Sequence, residues 1–247
     1  MGDVVRVGAD VDASVSALAE VVSALGRPVG SEEPPALQRL LARGAPAVMG
    51  ARWAWVTLAR RGRSGTVAST GGTAESVAAA LDRTGRGPVV DALTHGVVVA
   101  SPEVSDDERW GRLGRRLREE FGVRSVVSYP LQLEEEDRRA ALTFGADRAD
   151  AFGRHHVDCG RVLASHAALL VAAEVANATS LQLLRALETN REIGVAVGVL
   201  MTRHGLTRDR AFAVLRTTSQ NTNRKLADIA SDVADTGDLP PGLPDTA

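Results

Sequence analysis

The chain has 247 residues, of which 44% are hydrophobic and 24% charged, and its formal net charge is −2. This near-neutral charge excludes a protein that is basic over its whole surface, so any nucleic-acid site must be a local patch. Cys159 is the only cysteine, which excludes an intrachain disulfide and indicates a reducing compartment. Residues 1–10 lack the apolar run of a signal peptide, and nowhere do 18 apolar residues run together. We therefore predict a soluble, cytoplasmic protein with no membrane segment.

Near the N-terminus, apolar residues recur at spacings of three and four, which predicts a helix that ends at Gly26 and Pro28. This candidate dimer seam consists of Val11, Val15, Leu18, Val22 and Leu25. A single helix with such a seam needs an apolar partner, which is either the body of its own domain or another helix.

The middle of the chain mixes short helices and strands without a regular βαβ alternation. Helices are predicted at about 36–49, 73–83, 88–94 and 105–120, and strands at 52–60, 65–70, 97–100, 125–133 and 139–146. This order favours an α+β fold, in which an antiparallel sheet is flanked by helices.

The C-terminal third is predicted to be helical. Residues 153–201 contain no proline and favour one long helix, or two nearly end to end. Gly205 ends this segment, Thr207 caps a helix over 208–219, and a third helix over 224–235 ends at Gly237. We predict a sensor-like domain over 1–175, a three-helix bundle over 176–237 and a disordered tail over 238–247.

Charge is uneven within the bundle. Between Arg203 and Lys225 there are six basic residues and a single acid, Asp209, whereas beyond Lys225 the charged residues are all acidic. Such a patch could hold phosphates, with nearby Asn, Gln, Ser and Thr to read bases or 2′-hydroxyls. It could also be a solvated helix face.

The run Arg191-Glu192-Ile193-Gly194-Val195-Ala196-Val197-Gly198-Val199-Leu200-Met201 resembles the first half of the ANTAR domain pattern. The second half of that pattern is matched, without gaps in the alignment, by further short runs of this chain. These are Leu206-Thr207, Ala211-Phe212, Leu215-Arg216, Ser219-Gln220 and Asn223-Arg224-Lys225-Leu226, followed by Ala230. This resemblance implies a three-helix domain that binds paired RNA hairpins overlapping a transcription terminator, so that antitermination follows.

The resemblance also implies which residues build the domain. Small and apolar residues form the expected core: Ile193, Ala196, Gly198, Leu200, Met201, Ala211, Phe212, Leu215, Leu226, Ile229 and Ala230. The candidate RNA-binding residues are Arg191, Arg203, Arg216, Ser219, Asn223, Arg224 and Lys225. Many members of the family carry a lysine between the alanine and glycine of the first helix, where this chain has Val197.

Residues 11–175 resemble a GAF domain. The resemblance depends on Gly87-Pro88-Val89-Val90-Asp91-Ala92-Leu93, Gly96-Val97-Val98 and Gly122-Val123-Arg124-Ser125-Val126-Val127-Ser128-Tyr129-Pro130-Leu131. It implies a six-stranded antiparallel sheet with flanking helices, often dimeric through its terminal helices, and a ligand that differs between members. A small-molecule ligand is therefore possible, but the sequence identifies no cofactor.

The sequence contains none of the common catalytic motifs and no complete set of metal ligands. His155 and Cys159 stand one helical turn apart, but no third or fourth metal ligand is indicated. The chain has no phosphate-binding glycine loop, no Gly-x-Ser-x-Gly elbow and no His-Glu-x-x-His motif. We therefore expect a regulator without catalytic residues. The alternatives to RNA binding are a helical bundle that binds a partner protein and one that binds DNA.

Overall fold

The computed structural model describes residues 2–25, 34–134 and 137–238, with side chains from residue 13 to 24 in the first of these segments. The helices are α1 (Gly2–Leu25), α2 (Ala36–Ala47), α3 (Gly72–Thr84), α4 (Pro88–His95), α5 (Arg112–Phe121), α6 (Arg154–His204), α7 (Arg208–Thr222) and α8 (Leu226–Thr236). The strands are β1 (Trp53–Arg60), β2 (Arg63–Ser69), β3 (Val99–Ser101), β4 (Ser125–Leu131) and β5 (Arg138–Ala146).

The strands form one antiparallel sheet in the order β2-β1-β5-β4-β3. The register aligns Trp55 of β1 with Thr143 of β5, and Thr143 with Ser128 of β4. The α+β prediction of an antiparallel sheet flanked by helices is confirmed. The GAF resemblance implied six strands, whereas the described part of the chain forms five.

Each face of the sheet is covered by helices. On one face, α3, α4 and α5 pack their apolar residues against Trp53, Trp55 and Val126. On the other face lie α2 and the start of α6, where Gly160 lies against the ring of Tyr129 and leaves no room for a larger residue. This arrangement buries both faces, so β4 and β5 are buried almost throughout, including the polar residues Ser125, Ser128 and Thr143.

The prediction of a helix from residue 105 is wrong at its start, because α5 begins only at Arg112. Residues 104–111 form turns instead. Asp107 accepts hydrogen bonds from the Arg109 backbone and side chain, an alternative to helical pairing that short acidic residues favour. The chain must also approach α5 closely, since a Cβ at Gly114 would lie 1.8 Å from the Val104 carbonyl oxygen.

The α6 helix is continuous over 51 residues, the first of the two arrangements predicted for this segment. The chain divides into two compact units, Met1–Glu174 and Val175–Ala247, and α6 contributes residues to each. By length and composition α6 could cross a membrane, with a mean hydropathy of 1.5 over its most apolar window, of which 11% is buried. One such helix is weak evidence for a membrane span, and α6 also carries buried residues, among them Leu163 and Leu200.

Candidate nucleic-acid interface

The second unit is a bundle of the α6 C-terminal part, α7 and α8. Its core is aliphatic and consists of Ala196, Val197, Leu200, Ala211, Leu215, Ile229, Ala230 and Val233, with Ile193, Val199, Leu206, Val214 and Leu226 packed around it. Local signals end α6 and α8 as the sequence indicated, whereas α7, predicted to end at Ser219, continues to Thr222 and ends at Asn223. Gly205 and Gly237 adopt positive φ, and the Thr207 hydroxyl accepts the Arg210 backbone N–H at the start of α7.

Three residues expected in the core are exposed, so that part of the prediction is wrong. Gly198 lies on the surface, and Met201 and Phe212 are 38% and 41% exposed. Each residue of a helix is rotated by about 100° from the previous one. Gly198 is thus turned about 200° from both Ala196 and Leu200, which occupy the buried face.

These exposed residues line one groove beside α6 and α7. The groove has a volume of about 640 Å³, and its lining comprises Asn190, Ile193, Gly194, Val197, Gly198, Met201, Arg208, Asp209 and Phe212. The ANTAR resemblance predicts Phe212 in the core. The residues that share the groove with Phe212 are far apart in sequence and meet only because α6 and α7 lie side by side. The bundle therefore presents an apolar groove with charged residues at its rim.

Two of the candidate RNA-binding arginines pair with acids within the bundle. Arg203 lies 3.1 Å from an Asp238 carboxylate oxygen, and Arg224 lies 2.7 Å from one of Asp232. Both pairs are solvent-exposed, and exposed pairs contribute little to stability. They nevertheless occupy the guanidinium groups, so the cationic patch is smaller than the sequence count indicated.

The turn between α7 and α8 is held by local hydrogen bonds. Ser219 Oγ donates to the Arg224 carbonyl oxygen at 2.6 Å, and Asn223 adopts a left-handed conformation with φ +52°. Ser219 thus stabilises the turn, and Lys225 follows it as the exposed first residue before α8. The remaining exposed cations of the candidate set are Arg191 and Arg216.

Val197 stands where many ANTAR domains have a lysine. Its side chain is only 7% exposed, belongs to the apolar core and also lines the groove. A lysine here would bury its methylene stem in the same place and extend its ammonium group to the groove rim. In this chain that position contributes packing and no charge.

Comparison with known families accounts for both units. A model of the ANTAR domain matches residues 181–233, and a model of a GAF domain matches residues 31–172. The chain is a GAF–ANTAR protein. ANTAR is an RNA-binding antiterminator domain and GAF is a sensor domain, and both are regulatory. Among curated proteins, none matches the chain significantly.

Solved structures are similar to the GAF part. The GAF domain from a phosphoenolpyruvate-protein phosphotransferase of Coxiella burnetii is 14% identical with a TM-score of 0.51, over 68% of this chain and 98% of that one. The corresponding Acinetobacter domain is 16% identical with a TM-score of 0.49, over 67% of this chain and 97% of its own. A free methionine-R-sulfoxide reductase from Neisseria meningitidis, in complex with its substrate, is 13% identical with a TM-score of 0.48, over 67% and 93%. The likeness to the Coxiella domain shows the fold alone.

In the GAF domain of this GAF–ANTAR protein, the space between the sheet and α3–α5 is filled with apolar side chains. Between the sheet and α3–α5 lie three tryptophans, of which Trp110 donates its indole N–H to Asp91 at 2.8 Å. The Trp55 indole N–H is buried without a partner among the described residues. A small molecule among these tryptophans would have to displace packed residues, whereas a cleft of about 500 Å³, lined by Trp53, Ala74 and Phe121 among others, opens at the edge of this side.

The predicted dimer seam of α1 is only partly described. The side chains of Val11 and Leu25 lie outside the described residues, while Val15 is exposed and Leu18 and Val22 are half-buried. Among the side chains of residues 13–24, Val21 is the buried one, and α1 packs against α2. One side of α1 therefore packs within its own unit and leaves Val15 on the surface.

The His155–Cys159 pair has the geometry of neighbouring helical turns. Cys159 Sγ lies 3.6 Å from His155 Nε2, and burial raises the pKa of this thiol. Among residues 34–134, 137–238 and the described part of α1, three or more His, Cys, Asp or Glu side chains nowhere group as metal ligands would. A buried thiol beside an imidazole is the arrangement that the structure shows.

Proposed function

We propose that this protein is a cytoplasmic, signal-responsive antiterminator that binds paired RNA hairpins through its ANTAR domain. In this proposal the GAF domain covers residues 1–175, the ANTAR domain residues 176–237 and a tail residues 238–247, of which only Asp238 lies within the described residues. The observation that carries the proposal is the ANTAR bundle with exposed Arg191, Arg216 and Lys225. Exposed cations with long side chains are the groups that contact phosphates.

A titration tests the RNA role. A labelled RNA with two tandem hairpins is titrated at several salt concentrations, beside an RNA with one hairpin. Two linked sites engage two ANTAR domains with a high effective concentration, so we expect the two-hairpin RNA to bind much more tightly. We also expect affinity to fall as salt rises. Absence of salt-dependent binding by either RNA contradicts the proposal.

Charge removal locates the contact. Replacing Arg216 and Lys225 together with alanine is expected to weaken RNA binding and to reduce the dependence on salt, because two phosphate contacts are lost. The matched control is Arg112→Ala with Arg115→Ala, which removes two exposed arginines from the GAF domain. Equal losses for this control and for the ANTAR double variant would show that only net charge matters.

A homodimer is part of the proposal, since two hairpins require two ANTAR domains. Within the second unit, α6 exposes four leucines, Leu181, Leu183, Leu184 and Leu187, each between 55% and 61% accessible. Leu181 and Leu184, Leu184 and Leu187, and Leu183 and Leu187 are three or four residues apart, so the four side chains spread over about 160° of the helix circumference. Burial of each leucine yields roughly 1.5–3 kcal/mol. We expect the mass of a dimer in light scattering, and a monomer after Leu183→Glu with Leu187→Glu. A monomeric native protein contradicts this part.

The same leucines also support the second candidate, a GAF sensor whose helical bundle binds a partner protein without RNA. The two candidate functions predict different effects of removing positive charge. Arg216→Ala with Lys225→Ala leaves the affinity for a protein partner nearly unchanged but lowers the affinity for RNA.

DNA binding is tested by competition, since the proposed antiterminator prefers hairpin RNA to duplex DNA of the same sequence. A sensed signal would act on the ANTAR domains through α6, which contributes residues to both units.

A further inference from the structure

The groove of the ANTAR bundle has an aromatic side chain at its edge. Phe212 is 41% exposed, and among the described residues of the second unit it is the only aromatic one. The groove volume of about 640 Å³ lies within the range of roughly 300–1,000 Å³ that is typical of small-molecule sites. Its surface combines this flat ring with the flexible apolar side chain of Met201.

Two glycines of α6, Gly194 and Gly198, line the groove and expose the helix backbone there. Gly194 and Gly198 lie in the interior of α6, where glycine destabilises a helix relative to alanine. A Cβ at either position would meet no atom within 4 Å, so packing inside the bundle does not require these glycines. Glycine is, however, what allows a ligand to approach the helix backbone closely.

The charges around the groove favour a polyanion. Arg208 belongs to the lining, Arg191 adjoins Asn190 of the lining, and Arg216 lies one helical turn after Phe212 on α7. Asp209 is the acid among the lining residues. A second copy of this surface would bring like-charged arginines together, whereas a nucleic acid brings phosphates to them.

We infer that this groove binds a single unpaired base of the RNA, stacked on the ring of Phe212, while the surrounding arginines hold the flanking phosphates. Recognition of RNA commonly uses unstacked loop bases that lie against aromatic side chains. The inference rests on the proposed RNA-binding function and adds the site and the chemical group that it receives. Gly194 and Gly198 then allow the edge of the base to lie against the α6 backbone.

The experiment uses the full-length protein and the two-hairpin RNA, with an unpaired loop adenine replaced by 2-aminopurine, whose fluorescence is quenched by stacking. Phe212→Leu keeps an apolar residue but removes the aromatic face, so we expect affinity to fall about 5- to 150-fold and the quenching to disappear. Phe212→Trp is expected to restore both. Val195→Ala is the matched control, because Val195 is exposed on α6 and does not line the groove.

Gly198→Ala separates binding from folding. Alanine is accommodated without a clash and favours the helix, so the melting temperature is expected to rise while the affinity for RNA falls several-fold. Unchanged affinity in both Gly198→Ala and Phe212→Leu overturns the inference and leaves the RNA-binding proposal intact. If the native protein fails to bind either hairpin RNA, both are overturned. A Phe212→Leu variant that changes the mass of the oligomer would show that the groove seats a second copy instead.

Discussion

The ion pair between Arg224 and Asp232 leads to a sharp prediction for RNA binding. The guanidinium and carboxylate groups are 2.7 Å apart, with side chains 43% and 44% exposed. Asp232→Asn removes the carboxylate charge and frees Arg224 at the turn before α8. Because exposed pairs contribute roughly 0.2–1 kcal/mol, the free energy of unfolding should change by less than about 1 kcal/mol.

Asp232→Asn should change the salt dependence of RNA affinity more clearly than it changes the stability of the fold. One additional phosphate contact steepens the plot of log affinity against log salt concentration by about 0.7–0.9. A fourfold increase in salt, from about 50 to 200 mM, should therefore cost the variant roughly threefold more affinity than the native protein loses. At low salt, release from the competing carboxylate should raise affinity by about 1.5- to 5-fold, the equivalent of the pair energy.

Fluorescence anisotropy of the two-hairpin RNA over a salt series measures both quantities. Asp235→Asn is the control, since Asp235 lies on the same helix, is exposed and carries the same charge. If Asp232→Asn and Asp235→Asn steepen the salt dependence equally, the effect is one of net charge. The idea that Asp232 restrains Arg224 would then be refuted.

Three further predictions concern stability and reactivity. Leu200→Ala removes a fully buried side chain from the ANTAR core and should cost about 2–5 kcal/mol in urea unfolding followed by circular dichroism; a cost below 1 kcal/mol would contradict this packing. The hydrogen bond from Arg109 lowers the pKa of Asp107, so this carboxylate stabilises the fold above its ordinary pKa and loses that effect as pH falls through its lowered value. Asp107→Asn should therefore lower the melting temperature at pH 7 and have a smaller effect near pH 3, and equal effects at both would be inconsistent with the pairing. Burial raises the pKa of Cys159, so a thiol reagent at pH 8 should label the folded protein slowly and the unfolded protein fast; equal rates would exclude a buried thiol.

Much of the fold was predictable because its signals are local. The end of α6 at His204 follows from Gly205, and the start of α7 follows from Thr207, since a cap depends on a few neighbouring residues. The antiparallel sheet was also predictable, because the order of elements along the chain lacks the regular strand–helix–strand alternation that a parallel sheet requires. The start of α5 was wrong for the opposite reason: the hydrogen bonds of Asp107 compete with the helix, and periodicity does not report that competition.

The ANTAR pattern, read from sequence, determined which helices exist and which residues are small or apolar. It did not determine which of those residues face the interior: Leu200 does, and Phe212 does not, because burial depends on the neighbours that surround each side of a helix. Nor did a count of charges reveal that Asp232 neutralises Arg224 from the next helix. Helix formation and capping depend on a few residues along the chain. The groove, and the pair between Arg203 and Asp238, arise only when different helices of the bundle are packed together, and the candidate RNA surface depends on that packing.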